Sequence, residues 1–588
     1  MRRLSLSFLV VLLSVSPQLF ARGIVEESAA FSNNRGLEYH NNGEYDRAIE
    51  YFSRAISLNP KDANLYINRG DAYNGKNEYD LAIGDYKEAL IAAENSADIN
   101  DIFAITMNYA NRIYGRYPFL DMESDPFMES LINLTMDGIS RSVKQAEQVR
   151  PDPGAPVSDI MKAALCFYYM GVDLEANFGS PEKVFEYSES LRNHVSASLA
   201  QAREWLDEDT AVLIYALWDE SIDFNPIGVG YSADFPRPAI NSYCLVLTSD
   251  GLAAVCLNPE LDYIQAINNM RNQINAANRT RRLALLETYR NDLYNALIKP
   301  ALPHIPEHIQ NLIIVPDGTL GFLPFDILRE DSDSPDLGET YRLSLSLSVS
   351  ASMLREEPSP QNLPILAFGG ASYEPDRTDQ RPDIYENDPN RILWRDLPGT
   401  EVEVRMLEQL VPSAADIRVF VGSDVSEAQI KRFSAEGELK KYPILHFATN
   451  SYFREEDLER AGLVLSEVSG LLDNGEDGYL TIPEIAALDL NARLVMLSGC
   501  DTGLGVLFRG DGMVSMYSAF LLAGSHYVGV GLWEISDDAT VEFMTRFYGK
   551  VLNEGKTFRE AFYLVKNEFR QHDRWSHPYY WSAFVLYE

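Results

Sequence analysis

The sequence predicts a multidomain chain: N-terminal all-α helical repeats, then an α/β domain with a largely parallel sheet between helix layers. Three observations carry this expectation. The chain has 588 residues, more than one hydrophobic core supports. A 34-residue self-similarity runs through the segment before residue 95. Short apolar runs alternate with helical stretches through the last two thirds. Hydrophobic residues make up 46% and charged residues 23%, a globular balance in which most of the chain folds. Against 50 Lys and Arg stand 87 Asp and Glu, a net charge of −37. A surface that acidic repels phosphate backbones, so nucleic acid is not an expected partner.

The repeat comes first along the chain. Gly36 and Gly70 are 34 apart, as are Tyr39 and Tyr73, Ala48 and Ala82, Phe52 and Tyr86, and Ala55 and Ala89. Small residues where helices touch, with aromatics between them, resemble the tetratricopeptide repeat (TPR). Two repeats are expected over 29–95. Asn59-Pro60 closes the first as that pattern requires, whereas Glu94 stands at the matching place in the second. About three such units are usually needed for a stable array. Residues 96–205 are accordingly read as further helical repeats and a cap, with amphipathic helices over Ile102–Tyr117 and Asp159–Leu174. Breaks fall at Gly154-Ala155-Pro156 and Gly179-Ser180-Pro181. Such an array is expected to bind a protein or peptide partner or to pack on the domain that follows, and the sequence leaves both open.

Ahead of the repeats, Met1-Arg2-Arg3 is basic, Leu4 to Val15 is apolar, and Pro17 to Ala21 ends in a small residue. This is the order of a secretory signal peptide over 1–21, predicting export to a periplasmic or extracellular site. The mature chain holds no stretch long enough to span a membrane. Of four cysteines, Cys166 falls on an apolar helix and is expected in the core. Cys244 and Cys256 flank two strands around Ser249-Asp250-Gly251. A three-residue turn sets them opposite each other, which leaves both a bridge and two buried free thiols open.

From 206 onward the strand candidates are Ala211–Leu217, Leu312–Val315, Ile365–Phe368, Ile444–Ala448, Leu494–Leu497 and Tyr527–Val530. Short apolar runs between helices describe a sheet covered on both faces, with chemistry at the carboxyl ends of its strands. Two ends stand out: Pro443-Ile-Leu-His-Phe-Ala-Thr-Asn-Ser451 and Arg493-Leu-Val-Met-Leu-Ser-Gly-Cys-Asp-Thr-Gly503. As parallel neighbours, these strands bring Asn450 and Cys500 to one edge. Around them lie Pro316-Asp317-Gly318 with Leu323-Pro324-Phe325, Leu397-Pro398-Gly399-Thr400-Glu401, and Gly478-Tyr-Leu-Thr-Ile-Pro-Glu484. Further on come Gly510-Asp-Gly-Met513, Ala519 to Gly524, Leu532-Trp533, and His577-Pro578 with Trp581. In this order the motifs resemble the CHAT domain, a caspase-like cysteine peptidase module commonly found behind TPR arrays. The resemblance covers residues 206–588.

What the resemblance implies is a dyad. The nucleophile is Cys500, and the general base is the second histidine of a His-Phe-Ala-Thr-His-Gly-like run. Here His446 matches the first histidine, Asn450 stands at the base position, and Ser451 replaces the glycine. Backbone amides at Ser451 and Gly499 are the oxyanion-hole candidates. A thiol with a pKa near ~8.5 is only a few per cent ionised at neutral pH. Histidine would favour the thiolate and then protonate the leaving amine; asparagine has no proton to exchange. Losing such a group typically costs about 10²–10⁴ in rate. The sequence therefore predicts a pseudo-peptidase or weakly active homologue, whose alternative is an active endopeptidase using a non-standard base or partner activation.

The remaining candidates are peripheral. Trp533, Asp537 and Asp538 are read as lining a substrate pocket suited to basic side chains, with a solvated acidic loop an equal alternative for the two aspartates. His526 precedes the Tyr527 strand, where an approach to the site edge is open but the motif assigns it no role; His577 is placed in a structural role, and Glu401 and Glu403 on the exposed start of a helix. Walker, His-Glu-x-x-His and CxxC patterns are missing, so neither a metal nor another cofactor is expected. Asp473 to Gly478 reads as a polar hairpin turn.

Overall fold

A computed structural model describes residues 17–94, 130–139, 169–177, 180–190, 197–218, 241–258, 261–280, 284–353, 363–373, 394, 398–411, 413, 416–453, 460–466, 476–499, 505–508, 512–533 and 535–588, with Thr106, Tyr109 and Arg141. The chain divides into two compact units, 1–179 with 219–240, and 180–218 with 241–588.

In the first unit, helices α1 (Pro17–Asn41), α2 (Tyr45–Leu58), α3 (Ala63–Gly75) and α4 (Tyr79–Glu94) form two consecutive helical pairs. The expected cleavage point after Ala21 falls within α1. The repeated glycines explain how the pairs close. A Cβ at Gly36 would stand 2.5 Å from the Phe52 ring, and one at Gly70 would stand 2.6 Å from the Tyr86 ring. Each repeat thus seats the aromatic of its second helix on the bare backbone of its first. Ala48, Ala55, Ala82 and Ala89 are fully buried at the same contacts, while Tyr39 and Tyr73 are half-buried. Arg69 adds a polar tie: it grips Asp85 in bidentate fashion at 2.8 and 2.7 Å and donates to Ser53 at 3.0 Å. Beyond α4, Tyr109 donates its hydroxyl to the Tyr86 carbonyl at 2.7 Å, and residues 130–139 and 169–177 are helical. Cys166 and most of 102–117 and 159–168 lie outside the described residues.

The second unit begins at Ser180, so helices α5 (Pro181–Ser190) and α6 (Leu199–Trp205), expected with the helical array, belong with the sheet. Its strands are β1 (Thr210–Ala216), β2 (Tyr243–Leu247), β3 (Leu252–Cys256), β4 (Asn311–Val315), β5 (Arg342–Leu345), β6 (Ile365–Gly369), β7 (Ile417–Val421) and β8 (Ile444–Ala448). They continue with β9 (Asn450–Tyr452), β10 (Gly462–Val464), β11 (Tyr479–Thr481), β12 (Ala492–Leu497), β13 (Gly505–Phe508), β14 (Gly512–Ser515), β15 (Ser525–Gly531) and β16 (Phe584–Tyr587). Eleven make one sheet in the order β3-β2-β1-β4-β5-β16-β15-β12-β8-β6-β7; β11-β10-β9 and β13-β14 form two small ones. Within the eleven-stranded sheet, among the described residues, the β3–β2, β2–β1 and β16–β15 pairings are antiparallel and the other seven parallel, so that sheet is mixed but mostly parallel. β1, β2, β6 and β8 are buried along their whole length, whereas the outermost strands β3 and β7 are partly exposed. Burial on both faces is why these strands read as unbroken apolar runs.

Helices cover both faces. They are α7 (Tyr263–Thr280), α8 (Ala284–Leu293), α9 (Pro398–Leu410), α10 (Glu427–Ala435), α11 (Met516–Leu522), α12 (Asp537–Leu552) and α13 (Phe558–Arg570). β8 shows the alternation directly. His446 turns toward Glu403 of α9 and Tyr548 of α12. Phe447, next along, meets Phe368 at 5.1 Å and Phe520 of α11 at 5.6 Å. Just after α8 the helix widens into one π turn, Tyr294–Ile298, and the Leu297 carbonyl there accepts from the Tyr215 hydroxyl of β1 at 3.1 Å.

The β2–β3 hairpin departs from expectation by one residue. Thr248 and Gly251 exchange backbone hydrogen bonds, so the turn is the two residues Ser249-Asp250 rather than three. Cys244 therefore pairs with Val255, and Cys256 with Tyr243. Positions one apart on a strand face opposite ways, so the two thiols cannot be bridged. Neither is in a disulfide; Cys244 is buried and Cys256 exposed.

Candidate functional site

The two strand ends singled out in the sequence are neighbours. β8 and β12 run parallel with Phe447 beside Leu497, and the Ser498 amide donates to the Phe447 carbonyl at 3.0 Å. Both strands thus leave the sheet at the same edge. Gly499 is buried; Cys500 lies outside the described residues. After Ala448 and Thr449 the chain enters β9, which starts at Asn450. Asn450 and Ser451 are half-buried and pair with Val464 and Leu463 of β10. The Asn450 amide donates to the Tyr373 hydroxyl at 3.3 Å, and that hydroxyl donates to the Val464 carbonyl at 2.9 Å. One tyrosine after β6 thus ties the first two small strands together. Trp394 contributes from above: its Nε1 donates to the Tyr479 hydroxyl at 3.0 Å, and its ring meets Tyr452 edge-on at 6.3 Å.

Beneath this edge lies a buried polar group that the sequence reading missed. His446 is wholly buried, and Glu403 is 2% exposed rather than on an open helix start. The imidazole Nδ1 meets the Tyr548 hydroxyl at 3.0 Å, while Nε2 meets the Ser498 hydroxyl at 3.4 Å. Glu403 Oε1 stands 3.1 Å from the same Nε2 but off the hydrogen-bond direction, so its contribution is charge. Burial, and after it the charge of Glu403, holds the Tyr548 phenol well above its ordinary range. A signal for Glu403 does exist in the sequence. It sits next to Val404 and four residues before Leu407, both fully buried, and so shares the apolar face of an amphipathic helix. Glu401 is the exposed one, paired with Arg405 at 2.7 Å.

Helix α9 is fixed against the same edge by bare backbone. Gly370 has φ +61°, and a Cβ there would stand 2.7 Å from Glu401; one at Gly369 would stand 2.6 Å from the Thr400 carbonyl. The Thr400 hydroxyl accepts from the Gly370 amide at 2.9 Å. At the start of α9, Gly399 leaves room for the Asp537 carboxylate.

The expected pocket residues are therefore occupied otherwise. Asp537 packs on Gly399, and Asp538 pairs with Arg574 at 2.7 Å on the surface. Trp533 is 4% exposed and donates to the Tyr579 carbonyl at 3.0 Å; its ring is core rather than pocket lining. His526 is corrected as well. β15 runs parallel to β12 with Ser525 beside Ala492 and Val530 beside Leu497. This puts His526 at the amino end of the sheet, roughly 15 Å from the edge at the strand rise of about 3.3 Å. His577 does have a structural role: its Nδ1 accepts from the Tyr579 amide at 3.1 Å and caps the helix Pro578–Trp581.

Among the described residues, one carboxylate group has metal-like spacing: Glu427, Glu476 and Glu484, with oxygens within 4.8 Å of one another. The Lys431 ammonium touches all three, at 2.6, 2.7 and 2.6 Å, and so offsets part of their charge from within. Glu427 also accepts from the Asp477 and Gly478 amides at 3.0 Å each. The group is a latch between α10 and the approach to β11.

Comparison with known proteins agrees with this architecture. The CHAT domain model matches residues 287–588, and the tetratricopeptide repeat model matches 29–62. Tetratricopeptide repeat protein 28 of Homo sapiens is 26% identical over 338 residues, which is 50% of this chain and 13% of that protein. The Mus musculus protein of the same name is 26% identical over 341 residues, with the same shares. The chain thus spans about an eighth of the curated relatives it matches. A solved Saccharomyces cerevisiae separase–securin complex aligns with a TM-score of 0.46 and 9% identity, over 99% of this chain and 48% of that one. With more than half its length matched by a single family model and a repeat match ahead of it, the chain belongs to the CHAT domain family and carries an N-terminal TPR segment.

Proposed function

We propose that this chain is an exported, peptide-binding CHAT protein whose peptidase chemistry is lost or impaired. The CHAT edge then serves as a recognition cleft, and the TPR segment recruits a protein partner. One observation carries the reading. The strand that leads to Cys500 lies beside the strand that leads to Asn450, so an amide side chain belongs where this family's acid–base group belongs. An amide can hydrogen-bond a polypeptide backbone but cannot take the proton of a thiol or give one to a leaving amine. Export rests on the basic start and apolar run ahead of Pro17.

The test is a broad peptide library presented to the purified full chain, with binding and cleavage read in parallel. Saturable binding without turnover, unchanged in Cys500→Ala, is the expected result. Turnover that disappears in Cys500→Ala overturns the reading in favour of an active endopeptidase. On the same reading, the double change Asn450→His with Ser451→Gly creates cleavage where there was none. Sequencing the amino terminus of the protein recovered from its native host tests export: a start downstream of the apolar run is expected, and a start at Met1 rejects it.

A further inference from the structure

This inference deepens the reading above and rests on the same pair of strand ends. We infer that Glu403, His446 and Tyr548 are positioning residues: through one imidazole they hold Ser498, and with it the course of the chain from β12 toward position 500.

A buried imidazole in a parallel sheet needs a reason, because an apolar side chain of similar size would avoid the cost of burying polar atoms. The surroundings of His446 supply one. Its register neighbours are Ala367 on β6 and Met496 on β12. Ala367 is small, which leaves the ring space between the strands and the two helices above. The titratable groups facing the ring are Glu403 from α9 and Tyr548 from α12. β12 contributes Ser498, two residues beyond Met496 and so on the same face of the sheet. Every ring nitrogen has a hydroxyl partner, and the carboxylate lies beside the one that meets Ser498. In either tautomer of the neutral ring, one nitrogen donates and the other accepts, and a hydroxyl can answer both roles.

Ser498 is where this arrangement reaches the site. It is half-buried and is the first residue past the end of β12. Its amide is already spent on the Phe447 carbonyl at 3.0 Å. The imidazole fixes its side chain, so backbone and side chain are held by the same strand, β8. The peptide that continues into buried Gly499 has little freedom to turn.

Alkylation of Cys500 by iodoacetamide, followed by peptide mass spectrometry on the full chain, reads this support without requiring binding or cleavage. The exposed Cys256, on the outermost strand β3, serves as internal reference. Ser498→Ala and His446→Gln are each expected to change the Cys500-to-Cys256 rate ratio in the same direction, about 2- to 10-fold, the range one net hydrogen bond spans. Ser498→Thr, which restores the hydroxyl, returns the ratio toward wild type. The double variant changes it no more than the larger single, as members of one network do. A ratio unchanged in Ser498→Ala, or a double variant equal to the sum of the singles, overturns the inference. Should His446→Gln fail to fold, the Ser498→Ala and Ser498→Thr pair decides alone. Because labelling reports neither peptide capture nor turnover, this proposal and the pseudo-peptidase reading fail on different results.

Discussion

Glu189 marks where the sheet unit begins, and replacing it tests that boundary. The residue lies in the last turn of α5 and is wholly buried. Its carboxylate accepts from the Val349 amide at 3.0 Å, the Ser350 amide at 2.8 Å and the Ser350 hydroxyl at 2.7 Å. Those amides open the short helix Val349–Met353, whose first turn has no internal acceptors for its N–H groups. The Ser350 hydroxyl in turn accepts from the Ala197 amide at 2.8 Å, so the segment before α6 is tied to the same point. Glu189→Ala strands two buried N–H donors at about 1–3 kcal/mol each. With partial relaxation the expected loss is roughly 3–4 kcal/mol, at the upper end for a single substitution.

Tryptophan fluorescence suits the measurement, because the six tryptophans all lie within 180–218 and 241–588. The signal therefore follows the sheet unit alone. In guanidinium the unfolding midpoint of Glu189→Ala should fall by roughly 0.5–0.7 M, taking a slope at the top of the usual range, about 6 kcal/mol/M. Glu189→Gln keeps the shape but turns an NH₂ toward a donor, and should lose about half as much. A chain starting at residue 206 lacks α5 and α6 and should fall at least as far as Glu189→Ala, while a chain starting at 180 should not. A Glu189→Ala midpoint indistinguishable from wild type refutes the reasoning.

Four further outcomes are expected. Gly70→Ala drives a Cβ into the Tyr86 ring at 2.6 Å and should cost about 1–3 kcal/mol, as overpacking does; far-UV melting of the full chain measures it, and an unchanged first transition counts against the TPR-like closure. Lys566→Met leaves Asp326 buried without its cation and should cost about 3–5 kcal/mol, most of it recovered when Asp326 is also made apolar; a single variant as stable as wild type contradicts this. Burial pushes the Cys244 thiol up to about 12, so at pH 8 iodoacetamide should modify exposed Cys256 and spare Cys244, and equal labelling would mean the hairpin is open. His577 is held below its ordinary value by burial and then by the charge of Arg290, and its helix-capping acceptor exists only in the neutral ring. Its contribution is present above the unfolded value near ~6.5 and is lost as pH falls through the lower folded one. Wild type should therefore lose more melting temperature between pH 7.5 and 5 than His577→Asn, and parallel losses would exclude the effect.

How far the sequence could be read depends on which physical signal each feature leaves. Strand existence leaves a strong one, because β1, β6, β8 and β12 are buried along nearly all their length and are apolar at most positions, His446 and Arg493 being exceptions. The TPR segment is legible because a helix-on-helix contact needs a hole and a filler, and Gly36 with Phe52 recurs as Gly70 with Tyr86. The hairpin register is not legible to one residue: Gly251 fits a three-residue turn as well as the pairing position it occupies opposite Thr248. The start of the sheet unit is hidden because α5 is amphipathic like the repeats before it. What assigns it to the sheet is a carboxylate reaching residues 160 positions away. Glu403 is misplaced for a related reason. A charged residue at a helix start is usually solvated, and only the strand beneath it supplies the imidazole that allows burial.

Among the described residues, several motifs that carry the family resemblance hold the fold together. Asp317 accepts from the Leu217 amide at 2.7 Å and so joins the ends of β1 and β4. Pro398-Gly399-Thr400-Glu401 packs α9 on Gly369 and Gly370 and receives Asp537. Thr481 and Glu484 close a capping box at the helix Ile482–Ala486, and Glu484 takes part in the Lys431 latch. His577 caps its helix, and Trp581 lies buried beneath the Arg570 guanidinium at 4.0 Å. Each of these residues is needed for the fold whether or not anything is cleaved, so a strong family match is compatible with either chemical outcome. The same logic assigns the discriminating weight to the few positions whose side chains the fold does not need. Asn450 is one: its backbone amide supports β9 through Tyr373, and any residue offers that amide. A substitution that keeps the backbone N–H keeps that contact, so Asn450→His separates what the side chain does for chemistry from what the backbone does for β9.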